Sequence, residues 1–268
     1  MRLTALAALL VLAPPLLAHP AWGIVVNRAG EVYYSDLETV WKIDTHGKTT
    51  VARPGVNGRH VHDLSIDEAG NVYGEDYDGY TNHAWKLTPD GKVSFINGTM
   101  WRGYSIDENE HLRQQTRILK NGVLVAGGRF GHKDGKGSRA MFGHIAAMTI
   151  APDQSIYVTD DPSIRRITPD GTVTTIAANL DRPAAKNAIA FGFLMGLTVA
   201  QNGDLYVADF RNRRVLKIAR GVVSTIATSA EPYSPTGVAV GPHGEVYVLE
   251  IGYHPPGTWM KPRVRMLR

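Results

Sequence analysis

One short sentence is written six times along this chain, and that repetition confines the fold more tightly than any other feature. Each copy reads small residue, alternating apolar run, tight turn, second apolar run with a Tyr, acidic residue. The clearest copy is Gly196-Leu-Thr-Val-Ala-Gln-Asn-Gly203-Asp-Leu-Tyr206-Val-Ala-Asp209. The next runs from Gly237 through Tyr247 to Glu250, and the one before from Ala147 through Tyr157 to Asp160. Earlier copies start at Gly23 (to Tyr33 and Asp36) and at Asp63 (to Tyr73 and Asp76); a worn copy over 103–113 has lost its Tyr. The anchors recur at about 40–49 residues, the spacing of propeller blades.

Each unit offers about four strands. In the fifth copy they are 197–200, 205–208, 215–218 and 222–226, all with the period-two alternation of half-buried strands. Gln201-Asn-Gly203 and Arg220-Gly221 are hairpin signals between them. A four-stranded antiparallel unit cannot bury both of its faces alone. Packing units face to face around an axis solves this and protects their edges. The expected fold is therefore all-β, a six-bladed β-propeller of four-stranded antiparallel blades over residues 19–268. The last strand candidate, 263–268, ends the chain as the third strand of its unit. Either the sixth blade has three strands, or residues near the N-terminus complete it.

The segment Gly196 to Ile218, with Tyr-Val-Ala-Asp-Phe-Arg-Asn212-Arg-Arg-Val-Leu-Lys, resembles the NHL-repeat propellers. So do Asp134-Gly135, Ala140-Met-Phe142 and Ile164-Arg-Arg-Ile-Thr-Pro-Asp-Gly. The resemblance is strong in copies four and five, fair in one, two and six, and poor in three. It implies a six-bladed ring with a ligand face at one rim. The blade type marked by a Trp-Asp dipeptide is excluded, because no such dipeptide occurs.

Residues 3–18 are almost wholly apolar and follow Arg2. That is short for a membrane span, which needs about 20 residues. It reads as a secretory signal, residues 1–18, cleaved after Ala18; an uncleaved anchor is the alternative. The expected location is periplasmic or extracellular, without stable membrane insertion. There is no Cys, which excludes disulfides, thiol catalysis and lipobox attachment. The net charge of +4 and pI near 9.2 are too mild to argue for nucleic acid as a partner. The basic run Arg211, Arg213, Arg214, Lys217 and Arg220 reads as the solvated side of a blade, and the chain as a monomer.

Internal repeats act as a control on function. A residue in most copies is structural; a polar residue at one copy's equivalent place is a site candidate. By that test Asp36, Asp76, Asp160 and Asp209 hold turns through hydrogen bonds. The residues just ahead of each first strand converge on the axis at one rim. They are Trp22, His62, Arg102, Ala146, Met195 and Thr236 in the six copies, with Pro20, His60, Met100, His144, Phe193 and Ser234 two residues earlier. In an extended strand His60 and His62 share a face, so they are candidate ligands for a divalent metal such as zinc, with Glu75 as a third ligand and Asp63 nearby. Arg102 is a candidate for holding a carboxylate or an oxyanion, and His144 for a base. The alternative is that these groups merely line a water-filled channel.

The pair His62-Asp63 is also similar to a motif of the peptidyl-α-hydroxyglycine amidating lyases, which implies zinc held by His at blade starts. The other copies offer Ala146, Met195 and Thr236 in that register, so the three-His pattern is absent. Gluconolactonase-like propellers imply Glu, Asn and Asp at these places, where this chain has Trp22, Met195 and Thr236. Tyr77 and Tyr80, in the long loop of copy two, and Trp101 are candidate binding residues. A second non-repeated segment, 252–260, carries Trp259. No nucleophile elbow and no phosphate-cradling Gly loop occur. Two functional classes follow: a module that binds a small molecule or a protein, and a metal-dependent lyase or hydrolase with its site on the axis.

Overall fold

The computed structural model describes residues 21–101, 103–109, 114–182, 189, 193–254 and 258–267. The leader at 1–18 and the candidate Arg102 lie outside them. Blade 1 is built of β1 (Ile24–Val26), β2 (Val32–Ser35), β3 (Val40–Ile43) and β4 (Thr49–Arg53), and blade 2 of β5 (His60–Ile66), β6 (Val72–Tyr77), β7 (Asn82–Leu87) and β8 (Val93–Phe95). Blade 3 holds β9 (Tyr104–Asn109), β10 (Gln114–Lys120) and β11 (Val123–Gly127). Then come β12 (Gly135–Lys136) and the strands of blade 4, β13 (Ile145–Ile150), β14 (Ile156–Asp160), β15 (Ser163–Ile167) and β16 (Thr172–Ala177). Blade 5 is β17 (Leu194–Val199), β18 (Leu205–Asp209), β19 (Arg214–Ala219) and β20 (Val222–Thr228). Blade 6 is β21 (Tyr233–Val240), β22 (Val246–His254), β23 (Thr258–Trp259) and β24 (Arg263–Leu267).

Every blade is an antiparallel meander from the axis outward, and the whole is the expected six-bladed β-propeller. The departures from four strands are local. Blade 3 has three strands among the described residues, and blade 4 gains β12 on the outside of β16. Blade 6 closes with three long strands, β21, β22 and β24, while β23 pairs with the end of β22. The hairpin after each first strand needs a left-handed residue. Gly203 supplies it at φ 84°, and Gln154 takes the same place in copy four at φ 65°.

The core lies in layers between blades, as faces of sheets require. Val25, Tyr33 and Val40 of blade 1 pack on Leu64, Val72 and Trp85 of blade 2. Ile164 of blade 4 packs on Leu194, Val207 and Leu216 of blade 5. Blades 3 and 4 share Ile118, Ala126, Phe142 and Val158; blades 5 and 6 share Tyr206, Val215 and Val248. The ring closes through Ile24 and Val32 against Ala239 and Leu249. Among the described residues, no cluster of buried apolar side chains joins blade 2 to blade 3.

The acidic residue of the repeat is an anchor in each copy that has one. Asp76 accepts from Arg53 at 2.6 Å and from the Trp85 indole at 3.1 Å. Asp160 accepts from Arg165 at 2.6 Å, Asp209 from Arg214 at 2.7 Å, and Glu250 from Arg263 at 2.8 Å. Asp36 uses the Trp41 indole at 2.7 Å. These pairs correct one expectation. The basic run is not a solvated stripe throughout: Arg214 pairs with buried Asp209, and Arg213 is buried, donating to the Pro232 and Tyr233 carbonyls.

Candidate functional site

A β-bulge marks the start of the first strand in four blades. In β5, Val61 faces Asp76 and Leu64 faces Gly74, so His62 and Asp63 together oppose Glu75. The same shift falls at 146–147 in β13, at 195–196 in β17 and at Thr236 in β21. A bulge re-aims side chains and releases backbone groups. The freed His62 carbonyl accepts the N–H of both Trp22 and Gly23 at 2.9 Å, which ties blade 2 to blade 1. The small residue of the motif now has a physical reason. A Cβ on Gly23 would strike the Asp63 backbone, one on Gly196 the Gly237 backbone, and one on Gly237 the Trp22 backbone. First strands touch through these glycines around the axis.

Against that rule Asp63 stands out. The other five copies place Gly23, Gly103, Ala147, Gly196 and Gly237 where this one has a carboxylate. The sequence signal for it is this departure from the repeat. The Asp63 carboxylate accepts its neighbour's backbone N–H, from Leu64, at 2.8 Å. Burial pushes its pKa up to about 7, with the charge of Glu75 adding to the rise; the Leu64 N–H and the Trp22 indole act in the opposite sense. Burial raises Glu75 as well, opposed by the Met100 N–H that it accepts at 3.1 Å.

The axis holds a channel of about 1040 Å³. Its wall runs from the turns after the first strands, with Arg28, Glu68, Gln154 and Gln201, past Ser65, Thr149 and Thr198. It ends at Trp22, Asp63, Met100 and Trp101. It also widens between blades 2 and 3, where Ile96, Asn97, Gly98 and Thr99 line it. The missing apolar layer is therefore replaced by open space and by polar links: Ser65 donates to the Met100 carbonyl at 2.5 Å, and Thr99 to the Tyr104 carbonyl at 2.5 Å.

The histidines form a separate aromatic group on the rim. His62 stacks on Trp22 with ring centroids 5.6 Å apart and planes at 13°, meets His60 edge-on at 6.0 Å and lies 5.9 Å from Tyr77. His144, in the fourth copy, packs edge-on against Phe193 at 5.6 Å. Burial lowers its pKa, with Asp161 and Asp160 opposing. Among the described residues no three His, Asp or Glu side chains converge to hold a metal ion. His60 and His62 are brought together, but Glu75 is turned to the Met100 amide and His144 to Phe193, so the proposed ligand set is not assembled. Of the binding candidates, Trp101 lines the channel, while Tyr80 is 94% exposed at the tip of the β6–β7 hairpin. Asp78 shapes that tip by accepting from Tyr80, Thr81 and His83, which holds its pKa well below the ordinary carboxylate range.

A family model described as the teneurin NHL domain matches residues 132–226. Teneurin-m of Drosophila melanogaster is 26% identical over 202 residues, 72% of this chain, and mouse Teneurin-3 is 27% identical over 205 residues. The match spans only 6% and 7% of those two proteins. Among solved structures, a protein of unknown function from Bacteroides thetaiotaomicron superposes with a TM-score of 0.57 at 18% identity, covering 91% of this chain and 69% of that one. A streptogramin B lyase superposes at 0.52 and 15%, covering 91% and 93%. At these identities the two structures bear on the fold alone. The chain is thus a six-bladed β-propeller, and two of its blades, the fourth and fifth, are similar to the teneurin NHL domain.

Proposed function

We propose that this propeller is an exported, monomeric module that binds a small molecule in its axial channel. One observation carries the reading: an open channel ends on Trp22, Asp63 and Trp101, and Asp63 breaks the small-residue rule of the other five copies. Concave sites with apolar walls and a few convergent polar groups are where small ligands bind. Trp22 and Trp101 supply apolar faces, and Asp63 supplies the polar group. Export is supported by the apolar run at 3–18 and is tested by the N-terminal sequence of the secreted product, expected at His19. The binding reading is tested with a fragment panel screened by ligand-observed NMR on the untagged mature chain. Hits should vanish in Trp101→Ala and persist in Tyr80→Ala. Hits that instead follow Tyr80 would move the site to the rim loop and to a protein partner.

A second reading, a metal-dependent lyase or hydrolase, is favoured by one contact, the edge-on meeting of His60 and His62 at 6.0 Å. Zinc sites of enzymes use three protein ligands, and the described residues bring two. Mass spectrometry of bound metal, beside a His60→Ala/His62→Ala double variant, separates the readings. Stoichiometric metal lost in the variant would favour the enzyme.

A further inference from the structure

Resting on the reading of the channel as a ligand site, we propose that its ligand carries an organic ammonium or guanidinium group, paired with the Asp63 carboxylate. The apolar part of the ligand lies against Trp22 and Trp101.

Charge is the first argument. Among the described residues that line the channel the acids are Asp63, Asp67 and Glu68, and the base is Arg28. Arg28 is already paired with Glu68 at 3.4 Å, and Asp67 is held by Asn71 and Tyr73 at 2.8 Å each. Glu75, opposite Asp63 on β6, adds to the negative potential when ionised. An anionic ligand would meet repulsion along this path, whereas a cation would be drawn to the end that carries Asp63.

Chemistry is the second. A bare divalent cation needs several oxygen or nitrogen ligands at once, and no three acidic or His side chains converge here among the described residues. An organic cation needs one carboxylate and an aromatic face, and Trp provides the strongest cation–π partner. Trp22 and Trp101 come from blade 1 and from the start of blade 3, on either side of the β5 bulge that carries Asp63. The volume, about 1040 Å³, is at the upper end of small-ligand sites, about 300–1000 Å³.

The test uses the mature chain and benzylammonium as probe, beside neutral benzyl alcohol, benzoate and calcium, followed by calorimetry and Trp fluorescence. Benzylammonium should bind about tenfold or more tighter than benzyl alcohol, with benzoate weakest. Asp63→Asn should erase that preference. If the variant does not fold, the order of benzylammonium, benzyl alcohol and benzoate on the unaltered chain carries the test. Equal binding of the ammonium and the alcohol, with both lost in Trp101→Ala, overturns the ligand class and leaves the channel reading standing. Calcium that displaces benzylammonium overturns it in favour of a metal. No binding of any probe at millimolar concentration overturns both readings.

Discussion

The layer between blades 4 and 5 and the space between blades 2 and 3 are equivalent positions in the ring, and they are filled in opposite ways. Between blades 4 and 5, Ile164, Leu194, Val207 and Leu216 are buried against one another. Between blades 2 and 3 the channel opens sideways past Ile96 to Trp101, and the links are hydrogen bonds to Met100 and Tyr104. The difference follows the sequence. Copies four and five keep the full repeat, and copy three has lost its Tyr and forms three strands among the described residues. Where the repeat is kept, side chains serve the core. Where it lapses, space and an unusual carboxylate occur together, as expected of a site held on a rigid scaffold.

The largest effect should come from breaking the regular side of this comparison. Arg165 is buried, bonded to Asp160 at 2.6 Å and Asp134 at 2.8 Å, and lies over the Phe142 ring at 5.2 Å. Arg165→Ala leaves Asp160 buried without its guanidinium, and should cost about 3–5 kcal/mol in urea unfolding. A loss below about 1 kcal/mol would mean that the anchors do not hold the blades. Next in size, Ile164→Ala in the filled layer should cost about 2–5 kcal/mol. Ile96→Ala, beside the channel, leaves a void already open to solvent and should cost about 1 kcal/mol or less. Equal costs would refute the contrast. Amide exchange sharpens it further: β9 to β11 should exchange faster than β17 to β19.

Most of the ring was legible because its rules are local. Alternation, Asn-Gly turns and the acidic residue after Tyr each act within a blade, and the strands of blade 5 extend the expected segments by only a few residues. The anchoring role of Asp76, Asp160 and Asp209 was readable from their recurrence. Less legible was what depends on contacts across blades or on slips of register. Nothing in His60-Val-His-Asp63 announces the bulge that sets His62 and Asp63 against Glu75, nor the stack of His62 on Trp22 from the preceding blade. The basic run misled because charge alone does not reveal that Arg214 reaches Asp209. Asp63 could have been singled out by asking which copy lacks a small residue, since that question needs only the repeats.

The last effect tests Asp63 without any ligand. Its pKa is 3.8 in the absence of structure and about 7 in the fold. Between these values the folded chain keeps a proton that the unfolded chain has released, so stability falls as pH rises from about 4 and levels off above about 7. Asp63→Asn keeps the shape and removes the titration. The variant should gain on the unaltered chain steadily across that window, by at most a few kcal/mol, and the gain should be flat at higher pH. Glu75 titrates in both proteins, and in the variant it is freed of the Asp63 charge. A difference that does not change with pH, or that changes the other way, would show that Asp63 is not desolvated. The expected sign has a further meaning. At neutral pH a neutral amide would then suit the fold better than the carboxylate does, which is the pattern of a residue kept for binding at some cost in stability.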